Sequence, residues 1–520
     1  MTGYSKSKVL SAVLLLPALL PAQNANIDAL AERTRAAFNV PGIAVAVVKD
    51  GKVVLEKGYG VRSIETKAPV TAHTLFRIAS NTKAFTAAAM AILVDEGKVH
   101  WNDHVVDLLP GFQMYDSYVT REMTVADLFV HRSGLGLGEG DLMFFPPSDL
   151  TREEILHRLR FLKPATSFRS SYAYDNLLYL VAGSIIPAVT GKSWDDFVRE
   201  RIFTPLGMSE SVLNTAAFLK ARDIATPHSE LDGKPVVVEQ ENVDNNAPAG
   251  SIASCVHDLA KWMMVQLNRG EMDGGRRLFS EAQSRTMWRG LTIMPIPTYP
   301  KEAPKVLDAL KPNFSEYALG WHTEDYRGHK LVGHTGGLSG FVSRTFLVPD
   351  QKLGIVILTN AEHDGAHTAL AWSIADEFLG APKTDWIGAY RELEKLEGQE
   401  IAKVLSASAG KRNANSKPSL PLASYAGTYR DQWYGDIIIR EENGKLTIQF
   451  SHTKALAGSL EHWQYDTFVA RWKERSMNAD AYVTFNLKPD GSIDEVRMKA
   501  VSPATDFSFD FQDLLLRPVK

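Results

Sequence analysis

Alternating apolar and polar positions predict strands at both ends of a large N-terminal region. Residues 43–48 and 53–59 are rich in valine, and Asp50-Gly51 between them is typical of a tight hairpin turn. Further strands are predicted much later in the chain, at 331–333, 341–348 and 353–359. Strands at both ends of one region pair most simply within a single antiparallel sheet.

Helical spacing dominates the chain between these strands. Residues 27–38 and 84–94 repeat apolar side chains with a helical period, and Glu96-Gly97 ends the second segment. Residues 124–208 are mostly helical with glycine and proline breaks, and 366–379 predicts a closing helix. The pattern therefore predicts an α/β fold of the α+β type over residues 26–382, with an antiparallel sheet flanked by helices and a separate helical lobe.

The pattern changes after this region. Residues 385–405 are charged and helical, and 406–421 have the Ser, Ala, Asn and Pro composition of a linker, so 383–421 is predicted to be helix and linker. Short strands are then predicted at 437–440, 446–450, 468–472, 481–487, 496–501 and 507–511. Their spacing predicts a small all-β, barrel-like domain over residues 422–520.

The composition of the whole chain argues against one class of function. The chain is 45% hydrophobic with a net charge of −4, so it lacks the basic excess of nucleic-acid-binding proteins.

The N-terminus differs in composition from the rest of the chain. Lys6 and Lys8 precede an apolar run at 9–20, and Ala22 offers a small residue for cleavage, so residues 1–22 are predicted to be a secretory signal peptide. The run is shorter than the ~20 residues of a membrane span. We therefore expect an exported protein, periplasmic or secreted, with no stable membrane span after cleavage.

Candidate chemistry begins with the pattern Ser-x-x-Lys. It occurs at Ser5/Lys8, Ser80/Lys83, Ser408/Lys411 and Ser451/Lys454. The first lies in the predicted signal peptide, the third in the predicted linker and the fourth after a strand of the small domain. Ser80 begins a strong helix, where free N–H groups and the positive end of the helix dipole stabilise an oxyanion. The alternative role for Ser80 is a plain helix cap.

Two later segments complement this pair. Tyr174-Asp175-Asn176 enters an apolar helix, and a tyrosine that relays a proton and an amide that orients a substrate can face one pocket there. His334-Thr335-Gly336-Gly337 lies on or beside a strand, where glycines let a substrate backbone approach the strand edge. Taken alone, the first segment equally fits a capped loop and the second a tight turn with a surface histidine.

In this order the segments resemble the signature of the serine β-lactamase and penicillin-binding protein superfamily: S-x-x-K, then Y-x-N, then a K-T-G or H-T-G strand. Class C β-lactamase-related hydrolases, in their esterase and D-aminopeptidase-like branch, are the most similar. The resemblance covers about residues 27–379 and includes Pro41-Gly42, Pro205-Leu206-Gly207-Met208 and Leu358-Thr359-Asn360. Many relatives carry an appended C-terminal β-barrel domain, and the small domain here is similar to those.

The resemblance implies acyl-enzyme chemistry. Ser80 would be the nucleophile, and either Lys83 or Tyr174 would be the base, the two titrating as a coupled unit. Asn176 would hold the amide or ester side of the substrate. The backbone N–H groups of Ser80 and Gly337 would form the oxyanion hole.

Histidine in the third segment changes the expected substrate. The lysine of K-T-G helps bind a carboxylate, whereas His334 would be mostly neutral at pH 7. Relatives with H-T-G are often esterases, D-amino-acid peptidases or amidases. Thr335 could still offer the substrate a hydrogen bond, and Gly336 would line the same strand edge. Asp175 either points away from the pocket or faces inward, where it would favour cationic substrates or raise the pKa of Lys83.

Three functions follow from this set. The first is an exported serine hydrolase of amide, peptide or ester bonds, and the second a true β-lactamase or D-alanyl-D-alanine carboxypeptidase. The third, a catalytically silent penicillin-binding-like receptor, is disfavoured because Ser80, Lys83 and Tyr174 are all intact. We expect a small-molecule or peptide substrate, no nucleic-acid partner, no cofactor and no metal; a homo-oligomer stays open. The aromatic segment 463–468 is expected in the barrel core, or else the barrel leans over the cleft.

Overall fold

The computed structural model describes residues 16–519, with side chains from Asn26 onward. Residues 1–15 of the predicted signal peptide lie outside the described residues, so signal cleavage and export stay predictions. A long helix, α1 (Leu16–Ala37), begins the described part. From residue 16 to 519 no single helix is long and apolar enough to cross a membrane; the bent pair Leu177–Thr190 and Trp194–Leu206 meets that test of length and composition only together.

A central antiparallel sheet joins the two ends of the large domain. The strands of this domain are β1 (Gly42–Lys49), β2 (Lys52–Gly60), β3 (Phe76–Arg77), β4 (His228–Leu231), β5 (Lys234–Val237), β6 (Ala253–Ser254), β7 (Thr292–Ile293), β8 (Ser315–Tyr317), β9 (His322–Tyr326), β10 (His329–Leu338), β11 (Phe341–Val348) and β12 (Leu353–Thr359). The sheet order is β2-β1-β12-β11-β10-β9-β8-β7, while β3 pairs with β6 and β4 with β5. The predicted sheet between distant parts of the chain is confirmed.

Strand β1 shows how the sheet is held between two cores. It is buried on both faces, and successive side chains point to opposite sides of a strand. Ile43 and Val45 pack in the cluster that includes helix α1, whereas Ala44 and Ala46 pack in the cluster of the helical lobe. Burial on both faces explains why this strand reads as an almost continuous apolar run.

The remaining helices surround this sheet and form the lobe. They are α2 (Thr82–Asp95), α3 (Val105–Leu108), α4 (Ser117–Glu122), α5 (Arg152–Arg158), α6 (Leu177–Thr190), α7 (Trp194–Val198), α8 (Thr204–Leu206), α9 (Thr215–Lys220), α10 (Ala247–Gly250), α11 (Val256–Leu267), α12 (Glu281–Met287), α13 (Asp364–Leu379) and α14 (Trp386–Gly410). Helices α1, α13 and α14 pack together on one side of the sheet, and α11 packs against β1 and β12. Helix α2 contacts α6, α10 and α12, so it lies within the lobe.

Helix α14 is longer than its charged part. It extends to Gly410, five residues beyond the predicted end at Leu405. Alanine and serine in this last stretch are compatible with a helix, although the composition alone suggested a linker. Ser408 therefore lies in the last turn of a helix, where its hydroxyl is 3.0 Å from the Tyr482 hydroxyl of the small domain.

The C-terminal domain is a nearly closed antiparallel barrel. Its strands are β13 (Gly427–Asp431), β14 (Gly435–Glu442), β15 (Lys445–Phe450), β16 (Ala457–Gln464), β17 (Thr467–Trp472), β18 (Ala481–Leu487), β19 (Ile493–Ala500) and β20 (Arg517–Pro518). They follow chain order except that β20 pairs with β13, and Leu516 next to β20 bridges Val496 of β19. The predicted all-β barrel is confirmed.

The predicted strand at 507–511 is wrong. This segment forms turns, and a 3-10 helix follows at Phe511–Asp513. Asp506 accepts the backbone N–H of Ser508 at 2.8 Å and so holds a turn. Asp510 accepts N–H groups from the large domain rather than from a neighbouring strand, which removes the segment from the barrel ladder.

Candidate active site

Ser80 is the middle residue of a one-turn 3-10 helix that leads directly into α2. The residue before it, Ala79, has a φ of 46°, a left-handed conformation that costs a non-glycine residue about 1–3 kcal/mol. Asn81 Nδ2 donates to Ser343 Oγ on β11 at 2.8 Å, and that hydroxyl donates to the Ile78 carbonyl at 2.7 Å. Strand β11 therefore fixes the backbone on both sides of Ser80, whose own side chain stays partly exposed.

Strand β10 passes very close to this turn at Gly336. A Cβ atom there would lie 2.2 Å from the Ile78 carbonyl oxygen and 2.8 Å from the Ser80 nitrogen, so only glycine fits. A Cβ at Gly337 would meet no atom within 4 Å. The strand thus runs alongside the Ser80 backbone, with Thr335 exposed at its surface. The predicted oxyanion hole and the substrate contacts of this strand stay predictions.

Lys83 is fully buried one turn after Ser80. Its Nζ donates to Ser80 Oγ at 2.9 Å, to Asn176 Oδ1 at 2.6 Å and to the Ala249 carbonyl at 3.2 Å. Burial lowers the pKa of Lys83 to about 7, against the attraction of two nearby carboxylates. Three donated bonds belong to the ammonium form. Because the other two acceptors cannot donate, loss of one proton leaves the lone pair facing Ser80 Oγ.

Tyr174 lies beside Lys83 at the same site. Its hydroxyl lies close enough to Ser80 to influence it, and its pKa is raised well above the ordinary value because the surrounding side chains desolvate the phenol. The Lys83 Nζ lies 4.8 Å from the centre of the tyrosine ring. The imidazole of His131 packs against the same ring at a tilt, with 4.2 Å between the ring centres. Tyr174 is therefore a neutral phenol near pH 7, able to donate a proton.

Asn176 connects the amine to a carboxyl group that the sequence did not reveal. Its Nδ2 donates to Asp141 Oδ2 at 2.9 Å. Asp141 is fully buried, and burial raises its pKa to about 8 although hydrogen bonds from Ser508 and Asn176 oppose the shift. In the sequence Asp141 follows a glycine-rich loop, which signals a turn and nothing more.

Asp175 points away from the pocket. Its Oδ1 accepts the backbone N–H of Leu177 at 2.8 Å, at the start of α6, and its Oδ2 accepts from Ser133 Oγ at 3.2 Å. Burial raises the pKa of Asp175 to about 6. Of its two expected positions, the outward one is thus observed, yet its charge still favours the protonated form of Lys83.

His334 faces a buried aromatic cluster behind Tyr174. Its Nδ1 donates to the Thr335 carbonyl, and its Nε2 lies 2.7 Å from the Tyr317 hydroxyl. Because a carbonyl can only accept, a neutral ring at this position must accept the Tyr317 proton. Burial lowers the pKa of His334 well below its ordinary range, so the imidazole carries no charge at neutral pH. Its predicted role in substrate binding stays a prediction.

The barrel domain forms one wall of the site. Ser508 Oγ donates to Asp141 Oδ2 at 2.8 Å, and the rings of Phe507 and Tyr174 meet edge to face with 6.0 Å between their centres. Phe507 is 40% exposed and borders a cleft of about 300 Å³ between the barrel and Gly136-Leu137. The barrel does lean over the site, but through this segment and not through the aromatic segment 463–468.

That aromatic segment lies on strands of the barrel itself. The Trp463 ring packs on Tyr482 at 5.5 Å, and Phe468 is buried in the barrel core. Among residues 26–519, no group of three or more His, Cys, Asp or Glu side chains is placed to hold a metal ion.

Comparison with known proteins agrees with this architecture. The sequence model of the family described as Beta-lactamase matches residues 27–378, and that of a domain of unknown function, DUF3471, matches residues 411–518. Two fungal proteins are similar over most of their length. One is the Unguisins hydrolase ungD' of Aspergillus campestris, 31% identical over 88% of this chain and 85% of its own. The other is ungD of Aspergillus violaceofuscus, 29% identical over 87% and 84%.

Bacterial and archaeal proteins are also similar. Protein flp of Staphylococcus aureus strain MW2 is 29% identical over 64% of this chain and 62% of its own. Among solved structures, the octameric penicillin-binding protein homologue from Pyrococcus abyssi has a TM-score of 0.60 at 22% identity, covering 92% of this chain and 98% of its own. At that identity the match concerns the fold alone.

Proposed function

The chain belongs to the beta-lactamase family, and from this premise we propose that it is a serine hydrolase that forms an acyl-enzyme on Ser80. One observation carries the proposal. A buried amine with a pKa of about 7 lies 2.9 Å from the hydroxyl of a serine whose backbone is held by two strands. A lysine of ordinary pKa would be almost entirely protonated at neutral pH and could not accept the serine proton.

The proposed reaction has two halves. Ser80 Oγ attacks a carbonyl carbon while its proton passes to Lys83, and the N–H groups of Ser80 and Gly337 bind the carbonyl oxygen as it gains charge. Tyr174 donates a proton to the leaving amine or alcohol as the bond to the carbonyl carbon breaks, and the proton that Lys83 accepted then passes to the Tyr174 oxygen. Water then cleaves the ester on Ser80, releasing the acid and restoring the hydroxyl.

The proposed substrates are amides, peptides or esters, met by an exported protein. A neutral His334 supplies no fixed positive charge for a carboxylate, which makes efficient hydrolysis of penicillins a weaker alternative. The two fungal relatives are named hydrolases, which favours the broader hydrolase function.

Labelling with a fluorophosphonate tests the proposal. The full-length protein should form one adduct, and mass spectrometry should locate it on the peptide that contains Ser80. No adduct, or an adduct elsewhere, would contradict the proposed nucleophile. A panel of short esters, D- and L-aminoacyl amides and a chromogenic cephalosporin then orders the substrates. Turnover of the cephalosporin faster than every ester and amide would establish the β-lactamase alternative instead.

A further inference from the structure

The barrel domain reaches the base through three side chains. Ser508 Oγ and Asn176 Nδ2 both donate to Asp141 Oδ2, at 2.8 and 2.9 Å. The other end of the Asn176 amide accepts from Lys83 Nζ at 2.6 Å. A continuous series of hydrogen bonds therefore connects the C-terminal domain to the amine beside Ser80.

This connection is buried and held in place. Asp141 is 0% exposed and Ser508 is 8% exposed, so water competes little for their hydrogen bond. Asp510, two residues after Ser508, accepts the backbone N–H groups of Gly140 at 2.6 Å and Leu142 at 3.1 Å. These two residues flank Asp141. The barrel segment thus holds the loop that carries Asp141 through hydrogen bonds to the residues on either side of Asp141.

We propose that Ser508 is a positioning residue through which the barrel domain orients Asn176 and adjusts the protonation of Lys83. The barrel is then a part of the active site and not an independent module. This inference rests on the proposed function, because it assigns a partner to the proposed base. Its physical basis is the single carboxyl oxygen that Ser508 and Asn176 share.

The charged and titratable groups around this series decide the sign of the effect. Negative charge on Asp141 and Asp175 stabilises the protonated amine of Lys83. Negative charge on Asp510 and Asp175 makes ionisation of Asp141 less favourable. The other titratable groups that face Lys83 from the neighbouring elements are the phenols of Tyr174 and Tyr179 and the imidazoles of His131, His322 and His334. Without the Ser508 hydroxyl, the Asp141 carboxylate loses a donor and holds its proton to higher pH. Because the pKa values of Lys83 (about 7) and Asp141 (about 8) are close, the two groups titrate together, and a proton held more firmly on Asp141 favours loss of the proton from Lys83 at lower pH.

The rate of fluorophosphonate labelling across pH 5 to 10 tests this in the full-length protein. The labelling rate should rise with pH as Lys83 loses its proton, and this rise is the rising limb of the pH profile. For Ser508→Ala, we expect the rising limb to move to lower pH by roughly 0.5 unit. We also expect the plateau rate to fall about tenfold, since Asn176 is less firmly placed. The matched control is Ser502→Ala, whose hydroxyl accepts only the N–H of Ala504 within the same segment and should leave both values unchanged.

Asp141→Asn separates positioning from general loosening. This amide keeps an oxygen for both donors but has no charge, so its limb should also move to lower pH, and adding Ser508→Ala should move it no further. An unshifted limb in Ser508→Ala, or a second full shift in the double variant, overturns the inference. If Ser508→Ala does not fold, an unshifted limb in Asp141→Asn overturns it alone. Failure of the wild-type protein to label at Ser80 would instead reject the proposed function.

Discussion

Two Ser-x-x-Lys segments of this chain lie at opposite ends of helices. Ser80 and Lys83 lie at the N-terminal end of α2, with the lysine fully buried and its amine on the serine hydroxyl. Ser408 and Lys411 lie at the C-terminal end of α14, with the lysine exposed and the serine hydroxyl beside Tyr482. The spacing is identical, yet only the first pair brings the amine and the hydroxyl together.

This difference shows that the environment of a Ser-x-x-Lys pair, and not its spacing, determines whether the serine and lysine can act together. Dehydration lowers the pKa of Lys83, and its remaining hydrogen atoms are fixed by Asn176 and the Ala249 carbonyl. The start of a helix offers free N–H groups, whereas the end of a helix offers carbonyl oxygens, which would repel an oxyanion. An exposed lysine at the end of α14 meets none of these conditions.

The largest expected effect comes from replacing the serine of each Ser-x-x-Lys pair. Ser80→Ala should lower the rate of fluorophosphonate labelling by at least about a thousandfold, because the attacking oxygen is removed. Ser408→Ala, the matched change at the other helix end, should label as the wild type does. Labelling rates measured side by side on the two purified variants test this, and equal rates would remove Ser80 from the mechanism.

Much of the fold was predictable because its signals are local. The hairpin of β1 and β2 follows from valine-rich runs around Asp50-Gly51, and α2 follows from an apolar helical period. The sheet followed from strands at both ends of one region, and the family resemblance followed from three motifs in a fixed order. These features depend on neighbours in sequence or on short patterns, which a single chain displays.

The rest depends on contacts between distant residues. Asp141 acts through Asn176, and Ser508 reaches it from the other domain, so no local pattern marks either residue. Phenylalanine alternates with polar residues from Asp506 to Phe511, which imitates a strand. The turn held by Asp506 and the docking of Asp510 on the large domain remove this segment from the barrel. The direction in which Asp175 points was likewise undecided, since it depends on the position of Ser133.

The next largest effect is expected from replacing the lysine of each pair. Lys83→Met removes the amine but keeps an apolar side chain of similar length, which suits a buried position. General-base catalysis contributes about 10²–10⁴-fold, so the labelling rate should fall about a hundredfold or more. Lys411→Met should have no effect. A Lys83→Met protein that keeps a tenth of the wild-type rate would assign the base to Tyr174.

The pH dependence of labelling distinguishes the same two bases without a mutation. Lys83 accepts a proton only as the free amine, so the rate should rise about tenfold per pH unit below its pKa of about 7 and level off above it. The pKa of Tyr174 lies well above 10, so a phenolate base would keep the rate rising beyond pH 10. Rates in buffers of constant ionic strength, with unfolding checked at each pH, decide between the two.

The smallest effect concerns strand β10, which passes close to the backbone of Ser80. Gly336→Ala places a Cβ atom 2.2 Å from the Ile78 carbonyl oxygen, so β10 must move away from the nucleophile turn. Overpacking of this kind costs about 1–3 kcal/mol of the free energy of unfolding. Gly337→Ala is the matched control because its Cβ meets nothing within 4 Å, and its stability should stay within about 0.5 kcal/mol of the wild type. Urea unfolding of both variants measures the difference. Equal losses would mean that the contact between β10 and the Ser80 turn is not what holds the nucleophile, and that the strained Ala79 backbone is maintained by α2 and β11 alone.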